Sequence, residues 1–133
     1  MDTELDSAIN NALTSIPDCL AAGYVDMSTG MLLNFKTAFE HPHLDFIAAA
    51  AADLYRGKTV MEVERIWNNA RGIQGKHGYF QDITVQSENH LHIFLRGKKF
   101  QDHVGVFVCN ISANLGMALS LSRKAMPLIE QAF

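Results

Sequence analysis

Apolar residues open the chain at helical spacing. Leu5, Ile9, Ala12, Leu13 and Ile16 stand four, three, one and three positions apart, which makes one stripe of an amphipathic helix from about Thr3 to Ile16. Pro17 stops it. Two β-compatible runs follow, Leu20 to Asp26 and Met31 to Lys36. Met27, Ser28, Thr29 and Gly30 separate them, and Gly30 supplies the positive φ a tight hairpin turn needs. Helical spacing returns with Leu44, Ile47, Ala48, Ala51, Leu54 and Tyr55. His41-Pro42-His43 opens that segment, since a proline is tolerated in a first helical turn. Gly57 weakens the helix and Val60 to Trp67 resumes it, so the pattern predicts one interrupted helix or two in succession. Asn68 to Gly78, with three glycines, reads as a loop.

Three further runs, Tyr79 to Gln86, His90 to Arg96 and His103 to Cys109, form a meander. Ser87, Glu88 and Asn89 make its tight turn, and Gly97 to Asp102 its longer one. In the middle run Leu91, Ile93 and Leu95 alternate with His90, His92 and Phe94, the pattern of a half-buried strand. A last helix runs to about Gln131, with Ser112 as its N-cap and two apolar rows through Leu115, Leu119, Met126 and Ile129 and through Ala118, Leu121, Ala125 and Leu128. Pro127 removes one bond inside it. The order α-β-β-α-β-β-β-α gives an α+β fold: a five-stranded antiparallel sheet with helices, one domain over residues 1–133.

Composition narrows the function classes. The chain is 48% hydrophobic and 19% charged, a globular balance. Its net charge of -3 and scattered basic residues leave no footprint for nucleic acid. The one dense basic cluster, Arg96, Lys98 and Lys99, reads as solvated loop charge. Cys19 and Cys109 are two buried, reduced packing residues, too few for a disulfide framework. Acidic Asp2, Glu4 and Asp6 stand where a signal peptide would be basic, and no apolar run approaches the ~18 residues of a membrane span. The expectation is a cytoplasmic protein without membrane insertion.

Two segments carry a resemblance. Gly23-Tyr24-Val25-Asp26-Met27-Ser28-Thr29-Gly30-Met31-Leu32-Leu33 resembles the first hairpin of the roadblock/LC7 domain, where an aspartate and a glycine bracket the turn. Ser112-Ala113-Asn114-Leu115-Gly116-Met117 resembles the Asn-Leu-Gly signature that starts that domain's last helix. The resemblance implies a profilin-like sandwich that pairs with a second copy through its second helix and the strand after it, building one continuous sheet. The interface would take Ile47, Ala48, Ala51, Ala52 and Tyr55 from the helix and Tyr79, Gln81, Ile83 and Val85 from the strand. It further implies a homodimeric, non-enzymatic interaction module that binds or regulates a small Ras-like GTPase or serves as an assembly subunit. The residues agree independently, because an alanine face permits close helix approach and an unpaired edge strand invites a partner.

No catalytic set, metal site or cofactor site emerges from the residues. Gly57-Lys58-Thr59 ends like a phosphate loop, but Ala52 stands where that loop needs its other glycine. His90 and His92 share a strand face. Pairing Gly97 with Asp102 sets His103 beside Arg96, about 13 Å from His92 at ~3.3 Å per residue, so the histidines read as solvent-facing. Cys109 ends a valine-rich strand and reads as packing, and no serine sits in a nucleophile elbow. The competing reading is a small-molecule sensor of profilin, PAS or GAF architecture, its pocket lined by Tyr24, Trp67, Phe94 and Phe107. Such a sensor needs an apolar cavity of ~300 Å³ or more.

Overall fold

The computed structural model describes residues 3–38, 45–72 and 79–133, with side chains of the middle stretch described from residue 49 onward. Along the chain run α1 (Glu4–Ser15), β1 (Cys19–Asp26), β2 (Met31–Thr37), α2 (Asp45–Arg56), α3 (Lys58–Ala70), β3 (Asp82–Gln86), β4 (His90–Arg96), β5 (His103–Asn110) and α4 (Leu115–Ala132). The strands form one antiparallel sheet in the order β2-β1-β5-β4-β3. Because β2 and β3 lie at opposite edges, the segment that carries α2 and α3 has to travel the full width of the sheet.

Strand alternation divides the core. Ala22, Tyr24, Leu91, Ile93, Leu95, Phe107 and Cys109 point to one face, where Ile9, Ala12 and Ile16 at α1 and Ala118, Met126 and Ile129 of α4 cover them. Val25, Phe94, Val104 and Val106 point to the other and pack with Ala51 and Tyr55 of α2. Helix α4 lies close on β5, for a Cβ at Gly105 would stand 2.7 Å from the Met126 sulfur.

Local chemistry sets the boundaries. Thr3 caps α1 in a reciprocal box with Asp6: the Asp6 N–H donates to the Thr3 hydroxyl at 3.0 Å, and the Thr3 N–H to the Asp6 carboxylate at 2.9 Å. Asp6 also accepts from the Asn34 amide on β2, and these bonds hold its carboxyl well below the usual carboxylate range. In the first hairpin Gly30 takes φ +73°, and Asp26 accepts from the Ser28 N–H and hydroxyl. At Gly57 the chain breaks into two helices, and only glycine fits there, since a Cβ would meet the Asp53 carbonyl oxygen at 2.7 Å.

Several expectations are corrected. Asn114, not Ser112, caps α4, accepting the Met117 N–H at 2.9 Å; Ser112 instead donates to the Asn110 side chain. The glycine-rich stretch is helical to Ala70, because Glu64 and Asn68 continue the buried stripe of α3. The last strand of the chain is shifted by one: Gly97 donates to the His103 carbonyl, so Arg96 pairs with Val104. Strand β3 begins at Asp82, leaving Tyr79, Phe80 and Gln81 as its approach. The helix opening at His41-Pro42-His43 and the loop from 73 to 78 lie outside the described residues.

Candidate self-association surface

The edge strand β3 is anchored from both faces of the sheet. Tyr55, at the end of α2, reaches under it: its hydroxyl lies 2.7 Å from the Gln81 carbonyl oxygen and 2.9 Å from that of Phe94, one proton serving two acceptors. Burial pushes the Tyr55 phenol up, so it stays a donor. The Arg96 guanidinium lies over the Tyr55 ring, 4.8 Å from its centre, and feels the buried Glu64 carboxylate of α3. Burial pulls Arg96 down and Glu64 acts against that pull. Arg96 is therefore no solvated loop charge; it ends β4 and is buried. From the opposite face Arg123 of α4 bonds Asp82 at 2.9 Å.

The ladder pattern shows which backbone groups of β3 remain available. Ser87 donates to His90 and Arg96 to Gln81, so the alternate residues Val85 and Ile83 exchange bonds with β4. The N–H and C=O groups of Asp82, Thr84 and Gln86 then point outward, with Thr84 at the centre. Among the described residues no strand pairs with that outer edge.

The nine sequence-selected residues divide by depth. Ala51 and Tyr55 are sealed inside the protomer, packed on its own sheet, and support the surface from beneath. Ala52 is half-buried, as are Tyr79 and Ile83; Gln81 and Val85 are exposed. Ile47 and Ala48 belong to α2, but their side chains lie outside the described residues. Ala49 and Ala50 are exposed on α2 and were not selected, because a run of five alanines carries no periodicity to say which face is outward. Thr84 was missed too. Strand alternation marks its side chain, not its outward backbone, and only the ladder register assigns the latter. Ile66 and Trp67 of α3 are 51% and 53% exposed, and Val85 of β3 is 40% exposed.

The sensor aromatics do not converge. Tyr24, Phe94 and Phe107 are core, Phe94 on the opposite face from the other two, and Trp67 lies at the surface. A groove of about 610 Å³ does run between α1 and α4, lined by Ala8, Ala12, Leu121, Ala125 and Leu128 among others, and none of the four aromatics borders it. A second hollow of about 380 Å³ lies over Leu95 and Met126, beside Lys98 and Lys99. The histidines depart from the expectation of solvent exposure. His103 is buried with Nδ1 2.7 Å from the Tyr24 hydroxyl, while His92 is half-buried, burial and then His90 pushing its imidazole down. Among the described residues no three His, Cys, Asp or Glu side chains gather to hold a metal ion, and no helix is long and apolar enough to cross a membrane.

Comparison with known proteins places the architecture. No protein-family model matches the chain, and no curated protein does. Solved structures do match. The gliding protein MglB from Thermus thermophilus superposes with a TM-score of 0.72 at 18% identity, covering 97% of this chain and 87% of that one. An MglB described as having a tetrameric arrangement gives 0.69 at 19% identity, over 97% and 90%. A roadblock/LC7 domain from Streptomyces avermitilis gives 0.65 at 15% identity, over 95% and 92%.

Proposed function

Starting from the roadblock/LC7 fold of this chain, we propose that it is a homodimeric, non-catalytic interaction module of the cytoplasm. Two copies join edge to edge through β3 and bring their α2 helices together on one continuous sheet. The observation that carries this reading is the outer edge of β3, with the backbone groups of Asp82, Thr84 and Gln86 facing outward beside the exposed side chain of Val85. An unpaired strand edge next to apolar surface is a template for another strand. The edge is also held rigid, by Tyr55 from one side and Arg123 from the other, so little order has to be gained on pairing. That one of the similar structures is described as a tetrameric arrangement supports self-association in chains of this fold.

The paired module binds a small Ras-like GTPase or takes its place in a larger protein assembly. The exposed Ile66 and Trp67 of α3 leave apolar surface for such a partner on the side of the sheet that α2 occupies. Sedimentation of the chain mixed with the Ras-like GTPases of its source, loaded with GDP or with a non-hydrolysable GTP analogue, tests that half. Co-migration that depends on the nucleotide supports GTPase binding, and separate boundaries in both states reject it. The pairing half is tested by solution mass.

A further inference from the structure

The two cysteines, ninety residues apart in the sequence, are direct partners across β1 and β5. The Asn110 N–H donates to the Asp18 carbonyl at 2.9 Å and ties the start of β1 to the end of β5, and the ladder shifts register between Cys19 and Ala21. Directly opposed residues of an antiparallel pair hold their Cα atoms about 4.5–5.5 Å apart. Disulfides span Cα separations of roughly 4.4–6.8 Å, so this register brings the backbone within their range. Both side chains point to the α1 and α4 face, where Cys109 is core and Cys19 packs against it. The Cys19 thiol donates to the Ala21 carbonyl oxygen at 3.3 Å, a weak bond to a main-chain acceptor that it can give up. Cys19 is half-buried and Cys109 is sealed, which leaves Cys19 as the sulfur a reagent reaches first.

We propose that Cys19 and Cys109 form an oxidation site that closes to an intramolecular disulfide by exchange with a low-molecular-weight disulfide of the glutathione class. The Cys19 thiolate attacks one sulfur of the small disulfide, forming a mixed disulfide and expelling a small thiolate, which takes up the proton that Cys19 lost. The Cys109 thiolate then attacks the Cys19 sulfur, and the second small thiolate leaves and takes up the Cys109 proton. Two protein thiols are oxidised and one small disulfide is reduced to two thiols. The new bond ties the corner between α1 and β1 to the end of β5 that leads into α4.

The test uses the reduced full chain, equilibrated under native conditions in buffers of graded reduced and oxidised glutathione. Each sample is quenched with acid, alkylated in denaturant and weighed as an intact chain. The expected product at the oxidising end is a single chain lighter by two hydrogens and bearing no alkyl group. Its oxidation equilibrium constant should be at least about tenfold larger than that of the same chain oxidised in denaturant, because the folded sheet holds the two cysteines opposite one another. Two alkylated cysteines, a glutathione adduct that persists on Cys19, a disulfide between chains, or a native constant no larger than the denatured one would each overturn the proposal.

Discussion

The two faces of the sheet carry cores of different size. Both α1 and α4 begin on a side-chain cap, and they cover on one face a core that runs from Ile9 to Ile129. The opposite face has a smaller cluster around Tyr55 and Phe94, under helices of which α3 starts on Gly57 with no side-chain cap, and it leaves Val85, Ile66 and Trp67 in solvent. The α1 and α4 face also shows apolar surface, at Leu115, Met117 and Leu128 of α4 and in the groove between the two helices, so the faces differ in the size of the core beneath them rather than in closure.

Substitutions on the two faces should therefore behave differently. The largest effect is expected from Ala51→Glu, which buries an unpaired carboxylate in the cluster that holds Tyr55 and Val25. It should cost several kcal/mol in chemical denaturation, and it reports on the core beneath the α2 face rather than on the partner contact itself. Tyr55→Phe removes the one proton shared by the Gln81 and Phe94 carbonyls, a loss of about 1–3 kcal/mol. Hydrogen exchange in that variant should rise in β3 and stay unchanged in α1, which would separate the two faces directly.

The smallest effect at neutral pH belongs to the α1 and α4 face. Asp6 titrates well below its ordinary value, held by Asn34 first and by the Thr3 N–H next. A carboxylate depressed on folding adds stability that is present above its unfolded pKa, near 4, and is lost as pH falls through the folded value. Asp6→Asn should therefore melt below the parent at neutral pH. The gap should narrow as the pH is lowered below about 4, with the two thermal unfolding curves converging in acid.

Much of this division was legible in the sequence. The helical stripe of α1, the bracketed turn from Asp26 to Gly30 and the three-strand meander follow from spacing alone, because each depends on local chemistry. The interface residues were legible only in part. A run of five alanines hides which of them face out, and Ala51 proves to be core while Ala49 and Ala50 are exposed. Ser112 and Asn114 both suit an N-cap, and only the Asn110 side chain, by taking Ser112 into a turn, decides between them. The burial of Arg96 and the Cys19 and Cys109 partnership depend on contacts between distant strands and helices, which no local pattern encodes.

The central claim is that the outer edge of β3 joins two copies, and solution mass by light scattering, for the parent and for Thr84→Pro, tests it most directly. Proline at Thr84 deletes an N–H that points away from β4, so the protomer's own ladder stays intact. The account predicts a parent at twice the 14.8 kDa chain mass and a variant at 14.8 kDa with an unchanged circular dichroism spectrum. A parent that stays at the single-chain mass at high concentration, or a folded variant that pairs as the parent does, would contradict it.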